Sequence, residues 1–140
     1  MKIAMAQTPA ELERCFPVMG ELRPHLDADQ FVQQVQRQQE AGYRLAFLED
    51  DGEIRSVAGY RIQEYLAWGK ALYVDDLVTA EVARSRGYGA ALFDWLLNQA
   101  RENGCDQLHL DSGVQRFDAH RFYLNRGLAI HAHHFAMMVE

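Results

Sequence analysis

A segment rich in glycine and arginine offers the clearest chemistry in the sequence. It consists of Arg84, Ser85, Arg86, Gly87, Tyr88, Gly89 and Ala90. Glycines let a backbone turn tightly and approach a ligand closely. The first amides of a helix have no intrahelical partner and lie at the positive end of the helix dipole. The segment therefore predicts an anion site suited to a pyrophosphate, although a glycine pair can also serve only to shape the start of a helix.

Two common nucleotide-binding motifs are excluded for this segment. A P-loop would require GxxxxGK[ST], which is absent, and a dinucleotide fingerprint would require a third glycine where Leu92 stands.

The elements around the segment are predicted from capping residues and from the spacing of apolar residues. Thr8, Pro9 and Glu11 predict a capped helix start, and the stretch to His25 is expected to be one helix and a bend. Asp27 or Asp29 is expected to cap a second helix ending near 41–42. Further elements are strands at 2–7, 43–48, 54–64, 71–78 and 107–111, helices at 87–103 and 117–126, and one or two strands within 128–139. This order predicts an α+β fold containing an antiparallel meander and one crossover.

The bulk composition places the chain among globular proteins. The 140 residues are 49% hydrophobic, so we expect a single domain over 1–140 in the cytoplasm, with Cys15 and Cys105 as free thiols. The net charge of −6 disfavours nucleic acid as a partner and would suit a cationic substrate such as an amine. We expect no membrane partner, because no apolar run approaches the roughly 20 residues needed to span a bilayer.

Two motifs in register resemble those of the GNAT superfamily of N-acetyltransferases. Arg84-x-x-Gly87-x-Gly89 matches the [QR]-x-x-G-x-[GA] motif, between a strand and an amphipathic helix. The stretch 119–128, with Phe122, Tyr123 and Gly127, is similar to A-x-x-F-Y-x-x-x-G-F, except that Leu128 replaces the usual aromatic residue. The resemblance covers most of the chain, best from about residue 45. It implies a mixed, mostly antiparallel sheet flanked by about four helices, with a splayed central strand pair.

The resemblance also implies a cofactor and roles for particular residues. Acetyl-CoA would be the co-substrate, with no metal, and its pyrophosphate would lie on the amides of residues 86–90. Backbone groups of Leu77, Val78 and Thr79 would contact the pantetheine arm, and an amide near Leu77 would stabilise the oxyanion. Tyr123 would protonate the departing thiolate. The acceptor, a primary amine, would be bound among His25, Tyr65 and Trp68.

A general base must take a proton from the amine, and three carboxylates are candidates. Asp75 and Asp76 lie on the strand before the glycine segment. Since side chains alternate along a strand, only one of them is expected to face the cleft, and we favour Asp75 by its distance from Arg84. Asp111, after the following strand, could also line the substrate site. Each of the three could equally be a solvated structural aspartate.

Several alternatives stay open at this level. His131, His133 and His134 do not complete a metal site and could instead lie at a sheet edge, a cleft or a homodimer contact. His120 could face the cofactor or solvent. The acceptor could be a protein lysine or N-terminus instead of a small amine. The domain could also be a non-catalytic acyl-CoA sensor, or a module for a phosphate ligand other than CoA.

Overall fold

The structure is a computed structural model that describes residues 1–140, and its elements follow the predicted order closely. Five strands and four α-helices are present: β1 (Lys2–Met5), α1 (Pro9–Leu22), α2 (Ala28–Glu40), β2 (Arg44–Asp50), β3 (Glu53–Tyr65), β4 (Gly69–Thr79), α3 (Tyr88–Glu102), β5 (Gln107–Leu110) and α4 (Phe117–Asn125). A single 3₁₀ turn, Glu81–Ala83, joins β4 to the glycine segment. The α+β class and the four helices confirm the predicted fold.

The sheet is mostly antiparallel. Its strand order is β1-β2-β3-β4-β5, and the β1–β2, β2–β3 and β3–β4 pairs are all antiparallel. The Asp51–Gly52 turn joins β2 to β3 with positive φ at both residues, which is why an Asp-Gly pair suits it.

Both N-terminal helices begin with capping boxes, of which the sequence predicted the one at Thr8. The Thr8 hydroxyl accepts from the amide of Glu11, whose carboxylate accepts from the amide of Thr8. Asp27, not Asp29, caps α2 and exchanges the same pair of bonds with Gln30. The α1 helix runs through Pro17 without a break, and the expected bend follows it as a turn at Pro24 and His25. The proline removes one helical hydrogen bond, which the surrounding turns tolerate.

The core lies where α1 and α3 pack on the central strands β3 and β4. Leu12 of α1, Val57 of β3, Leu72 of β4 and Leu92 of α3 are all completely buried. This packing fixes the end of β4 and the start of α3 relative to each other.

The strand pairing between β3 and β4 is irregular at one point. Gly59 pairs with Asp76, but the next residue, Tyr60, pairs with Val74. Asp75 therefore has no partner of its own, which is the pattern of a β-bulge.

The chain divides into two compact units, residues 1–109 and residues 110–140. The prediction of one or two strands within 128–139 is wrong, because residues 128–140 form no helix or strand. A strand requires a neighbouring backbone to complete its hydrogen bonds, and Phe135 and Val139 are instead 92% and 94% exposed. That residues 1–140 act as a single domain stays a prediction. No helix has the length and apolar character needed to cross a bilayer.

Candidate functional site: the α3 start and the β4 cavity

The glycine segment forms a backbone concavity at the start of α3. Ser85 and Gly87 have left-handed φ values of 65° and 84°, and Gly87 is the N-cap without a side-chain capping bond. The first amide bonded inside the helix is that of Ala91, which donates to the carbonyl of Gly87 at 3.0 Å. The three amides before it, those of residues 88–90, have no partner within the helix. Alternating backbone geometry of this kind aims successive N–H groups at one point.

Side chains around this concavity leave it open to an anion. Tyr88 is buried, and its hydroxyl donates to Asp50 at 2.6 Å, so only its backbone amide can serve a ligand. A Cβ on Gly89 would lie 3.2 Å from Oγ1 of Thr79, which shows how closely β4 approaches the helix start. Arg84, Ser85 and Arg86 are exposed. Unpaired amides with two flanking guanidinium groups fit the pyrophosphate of CoA.

A cavity of about 400 Å³ lies beside β4. Its walls come from α1, α2, the link between them, the residue before β2, and the two strands β3 and β4. The lining residues are Met19, Arg23, His25, Leu26, Phe31, Gln34, Val35, Gln38, Tyr43, Arg61, Asp75 and Asp76. Its volume is within the range of small-molecule sites.

Asp75 and Asp76 both line this cavity. The expectation that only one of the two would face a cleft is therefore wrong. Strict alternation requires regular pairing, and the bulge at Asp75 interrupts that pairing, so two consecutive side chains reach the same side of the strand.

Asp76 is held on both carboxylate oxygens. Nε of Arg23 donates to Oδ1 at 2.9 Å, and the hydroxyl of Tyr43 donates to Oδ2 at 2.7 Å. Burial, and then the charge of the adjacent Asp76, raise the pKa of Tyr43 well above 10.0. Tyr43 therefore remains a hydrogen-bond donor to Asp76 at any physiological pH.

Gly59 is what lets Tyr43 reach Asp76. A Cβ built on Gly59 would lie only 1.7 Å from the hydroxyl oxygen of Tyr43, so any other residue would occupy the space of the phenol. The glycine at the bulge thus makes room for a hydrogen bond that spans from β2 across β3 to β4.

Asp75 is held on one oxygen only. Nε of Arg61 donates to its Oδ2 at 2.9 Å. Its Oδ1 has no hydrogen-bond partner in the protein and is not sealed from solvent. Burial raises the pKa of Asp75 above its ordinary value, and Arg61 opposes part of that rise. A carboxylate with a raised pKa and an available oxygen is suited to accept a proton.

The other residues that were predicted to bind the acceptor lie at two separate places in the fold. His25 lines the cavity with Asp75 and Asp76. Tyr65 and Trp68 lie apart from it at the β3–β4 turn, where Trp68 stacks on His109 with ring centres 3.6 Å apart. Leu77, Val78 and Thr79 end β4 in register with Ala58, Val57 and Ser56. Their predicted contact with a pantetheine arm stays a prediction.

The residues predicted from the second motif lie in the unit 110–140. Burial raises the pKa of Tyr123, so the phenol keeps its proton at neutral pH. His120 is bonded through Nε2 to the carbonyl of Gly113 at 2.7 Å. Asp111 lies 3.4 Å from Nδ1 of His134, an ion pair when that histidine is protonated. No three His, Cys, Asp or Glu side chains are grouped so as to hold a metal ion.

Sequence analysis missed the three residues whose side chains bind the two aspartates: Arg23, Tyr43 and Arg61. One signal could have indicated them. Gly59 lies inside a strand pattern, where glycine commonly marks a bulge or a close approach, and Arg61 follows two residues later. The pairing of Arg23 with Asp76 joins residues 53 positions apart and has no local signal.

Comparisons with known proteins agree with this geometry. Residues 6–128 match the acetyltransferase (GNAT) family. An uncharacterised N-acetyltransferase of Bacillus subtilis strain 168, YhdJ, is 37% identical over 117 residues, which are 83% of this chain and 82% of that protein. An aminoalkylphosphonate N-acetyltransferase of Salmonella typhimurium is 31% identical over 86 residues, 61% of this chain and 54% of that protein. The crystal structure of an aminoglycoside N-acetyltransferase in complex with CoA superposes with a TM-score of 0.83, at 13% identity, covering 99% of this chain and 95% of that one.

The chain belongs to the GNAT family of acetyltransferases, since the family match spans nearly its whole length. It is an N-acetyltransferase.

Proposed function

We propose that the chain transfers the acetyl group of acetyl-CoA to a primary amine of a small molecule bound in the β4 cavity. The observation that carries this proposal is the placement of Asp75. Its Oδ1 is unbonded and accessible, and its pKa is raised by burial. It lines a cavity of about 400 Å³ on the strand that leads to the glycine segment.

The reaction requires one proton to leave the amine and one to reach the leaving sulfur. Acetyl-CoA supplies the acetyl group: a C–N bond to the amine forms, the C–S bond breaks, and free CoA leaves as a thiol. An alkyl ammonium is mostly protonated at neutral pH, so Asp75 takes its proton, directly or through water, and exposes the lone pair. Asp76, bonded on both oxygens, positions the end of β4 and does not act as the base.

The donor is supported by the start of α3. The amides of residues 88–90 have no partner within the helix, and Arg84 and Arg86 add positive charge. A structural neighbour of the same fold is described in complex with CoA. We propose that these backbone amides bind the pyrophosphate.

A small acceptor is favoured over a protein one by the form of the cavity. Its volume of about 400 Å³ is that of a small-molecule site, whereas an extended peptide would need a longer groove. The Salmonella relative is named for aminoalkylphosphonates, which are small amines. We therefore expect a lysine-containing peptide not to be acetylated, and it serves as the negative control.

Tyr123 is the proposed acid that protonates the leaving thiolate. Its phenol keeps its proton at neutral pH, because burial raises its pKa. We expect Tyr123→Phe to reduce kcat while CoA binding persists. A non-catalytic sensor would show no turnover to lose.

Thermal unfolding with and without acetyl-CoA tests the donor site. A ligand at 100 times its Kd should stabilise the fold by roughly 2.7 kcal/mol. The Arg84→Ala/Gly87→Glu double variant should lose that shift, whereas Arg101→Ala, at the other end of α3, should keep it. No shift with any acyl-CoA, combined with one for ATP, would instead identify a phosphate-ligand module.

Acetyl transfer itself should be followed by mass spectrometry of the acetylated amine. A thiol reagent that detects released CoA would also react with Cys105, which is partly exposed, unless Cys105→Ser is used. Product from a small amine that requires both wild-type protein and acetyl-CoA supports the proposal. Its absence across primary amines contradicts it.

A further inference from the structure

The charges inside the β4 cavity are balanced, unlike those of the whole chain. The chain carries a net charge of −6, but the cavity contains two aspartates and two arginines, Asp75 with Arg61 and Asp76 with Arg23. The acidity that suggested a cationic substrate therefore lies elsewhere in the chain. A second ammonium group in this cavity would face a guanidinium at short range, which is unfavourable.

Arg61 keeps donors available beyond its bond to Asp75. Only its Nε is used, in the 2.9 Å bond to Oδ2. Its two Nη groups make no hydrogen bond within the protein, and its guanidinium carbon lies 5.4 Å from the centre of the Tyr43 ring. Two parallel N–H donors on one guanidinium match a carboxylate, a sulfonate or a phosphonate.

Asp75 offers the complementary atom at the same place. Its Oδ1 lacks a partner in the protein, while its Oδ2 is fixed by Arg61. The side chains of Asp75 and Arg61 are 22% and 25% exposed, so both groups are shielded but reachable. One ion pair thus presents a free acceptor at one end and free donors at the other.

We infer that the acceptor is a short zwitterion, an amine that carries an anionic group two or three bonds from its amino carbon. Its amino group binds Oδ1 of Asp75, and its anionic group binds the Nη groups of Arg61. This inference rests on the proposed function, because it assigns the acceptor of the same site. Arg61 is then the residue that determines specificity.

The distance between the two charged groups of the ligand follows from the ion pair between Asp75 and Arg61. Asp75 and Arg61 contact each other directly, so a molecule that binds both must carry its two charges close together. Long amines such as spermidine carry charges that are too far apart to contact both Asp75 and Arg61. All of their charges are positive, so none can pair with Arg61. Ethanolamine has the length but lacks the anion, and 2-aminoethylphosphonate, taurine and β-alanine have both.

The experiment compares 2-aminoethylphosphonate with ethanolamine, in turnover and in binding. Initial rates with saturating acetyl-CoA give kcat/KM for each amine. Calorimetric titration in the presence of CoA gives the affinity without chemistry. Variants are Arg61→Gln, Arg61→Lys and, as the matched control, Arg14→Gln, which removes an arginine–carboxylate pair outside the cavity.

We expect kcat/KM for 2-aminoethylphosphonate to exceed kcat/KM for ethanolamine by about ten- to hundredfold. This factor corresponds to the usual contribution of hydrogen bonds to a charged group. Arg61→Gln should raise KM for 2-aminoethylphosphonate more than KM for ethanolamine, by a similar factor, because both amines share any effect of losing the bond from Arg61 to Asp75. Arg61→Lys should recover only part of the preference, because an ammonium lacks the fork. Arg14→Gln should behave as wild type.

Two results would overturn the inference. One is equal or better use of ethanolamine or spermidine by the wild-type protein. The other is a preference that survives Arg61→Gln in protein that still binds acetyl-CoA. Binding of the anionic amine without any turnover would refute the proposed function and leave the cavity's ligand class standing, so the two failures are distinguishable.

Discussion

Asp75 and Asp76 are consecutive residues of β4, yet both side chains line the same cavity, because the strand bulges between them. Their environments differ. Asp76 is bonded on both oxygens by Arg23 and Tyr43, whereas Asp75 keeps one oxygen accessible. The same few residues therefore provide one carboxylate that holds structure and one that can exchange a proton.

Replacing Asp75 by asparagine should remove the base. We expect kcat/KM to fall by about 10²- to 10⁴-fold, the usual contribution of a positioned general base. In the wild-type protein, activity should fall as pH decreases through the pKa of Asp75, which burial places above 3.8. The decrease in activity at alkaline pH, which we assign to loss of the Tyr123 proton, should not move.

Asp76→Asn is the matched control for that profile. The asparagine has the same shape as the aspartate. The substitution should change the free energy of unfolding or KM, while activity should still fall at acidic pH as it does in the wild-type protein. An acidic limb that follows Asp76 instead of Asp75 would show that the roles are reversed.

Substituting Gly59 tests the contact that positions Tyr43. Gly59→Ala would place a Cβ against the phenol, and overpacking of this kind costs about 1–3 kcal/mol. Gly20→Ala is the matched glycine substitution, since its Cβ would be 3.4 Å from the Phe16 ring, an ordinary contact inside α1. It should be neutral or stabilising by up to about 1 kcal/mol. Chemical denaturation of both variants measures the difference, and equal effects would refute the steric argument.

Alkaline pH should destabilise the protein through Tyr43. Its pKa is raised in the folded state from 10.0, so between that value and the folded pKa the native state binds more protons than the unfolded state. Stability then falls as pH rises, by at most about 1.4 kcal/mol per pH unit.

Other tyrosines titrate in the same range, so the measurement is the difference in unfolding free energy between wild type and Tyr43→Phe. That difference should be constant below pH 10 and should decrease above it. A difference that does not change with pH would mean that Tyr43 titrates normally.

The two cysteines should differ in reactivity. Burial raises the pKa of Cys15 to about 12, so its thiolate is negligible at pH 8 and its sulfur is inaccessible. Cys105 is partly exposed. A thiol reagent should modify one cysteine in the native protein and two after unfolding, and Cys105→Ser should abolish the native reaction. Rapid native modification of Cys15 would contradict the buried position.

Local signals predicted most of the fold. Four local signals act within a few residues and are present in the structure: the capping box at Thr8, the Asp27 cap, the Asp51–Gly52 turn and the glycines at the start of α3. The prediction of one or two strands within 128–139 was wrong, because strand formation depends on a partner strand that a local pattern does not specify.

The candidate site was predictable only in part. The glycine segment and the two aspartates follow from motif and position. The partners of those aspartates do not, because Arg23, Tyr43 and Arg61 come from three distant parts of the chain that only the fold brings together. The bulge that turns Asp75 into the cavity is equally a property of the β3–β4 register.

The most direct test is a competition assay with acetyl-CoA and an equimolar mixture of 2-aminoethylphosphonate, ethanolamine, spermidine and a lysine-containing peptide, read by mass spectrometry. We predict that acetylated 2-aminoethylphosphonate dominates with wild-type protein and that Asp75→Asn, still folded and still binding acetyl-CoA, forms little of any product. Acetylation of the peptide alone, or undiminished product with Asp75→Asn, would contradict the assignment of the β4 cavity as the acceptor site.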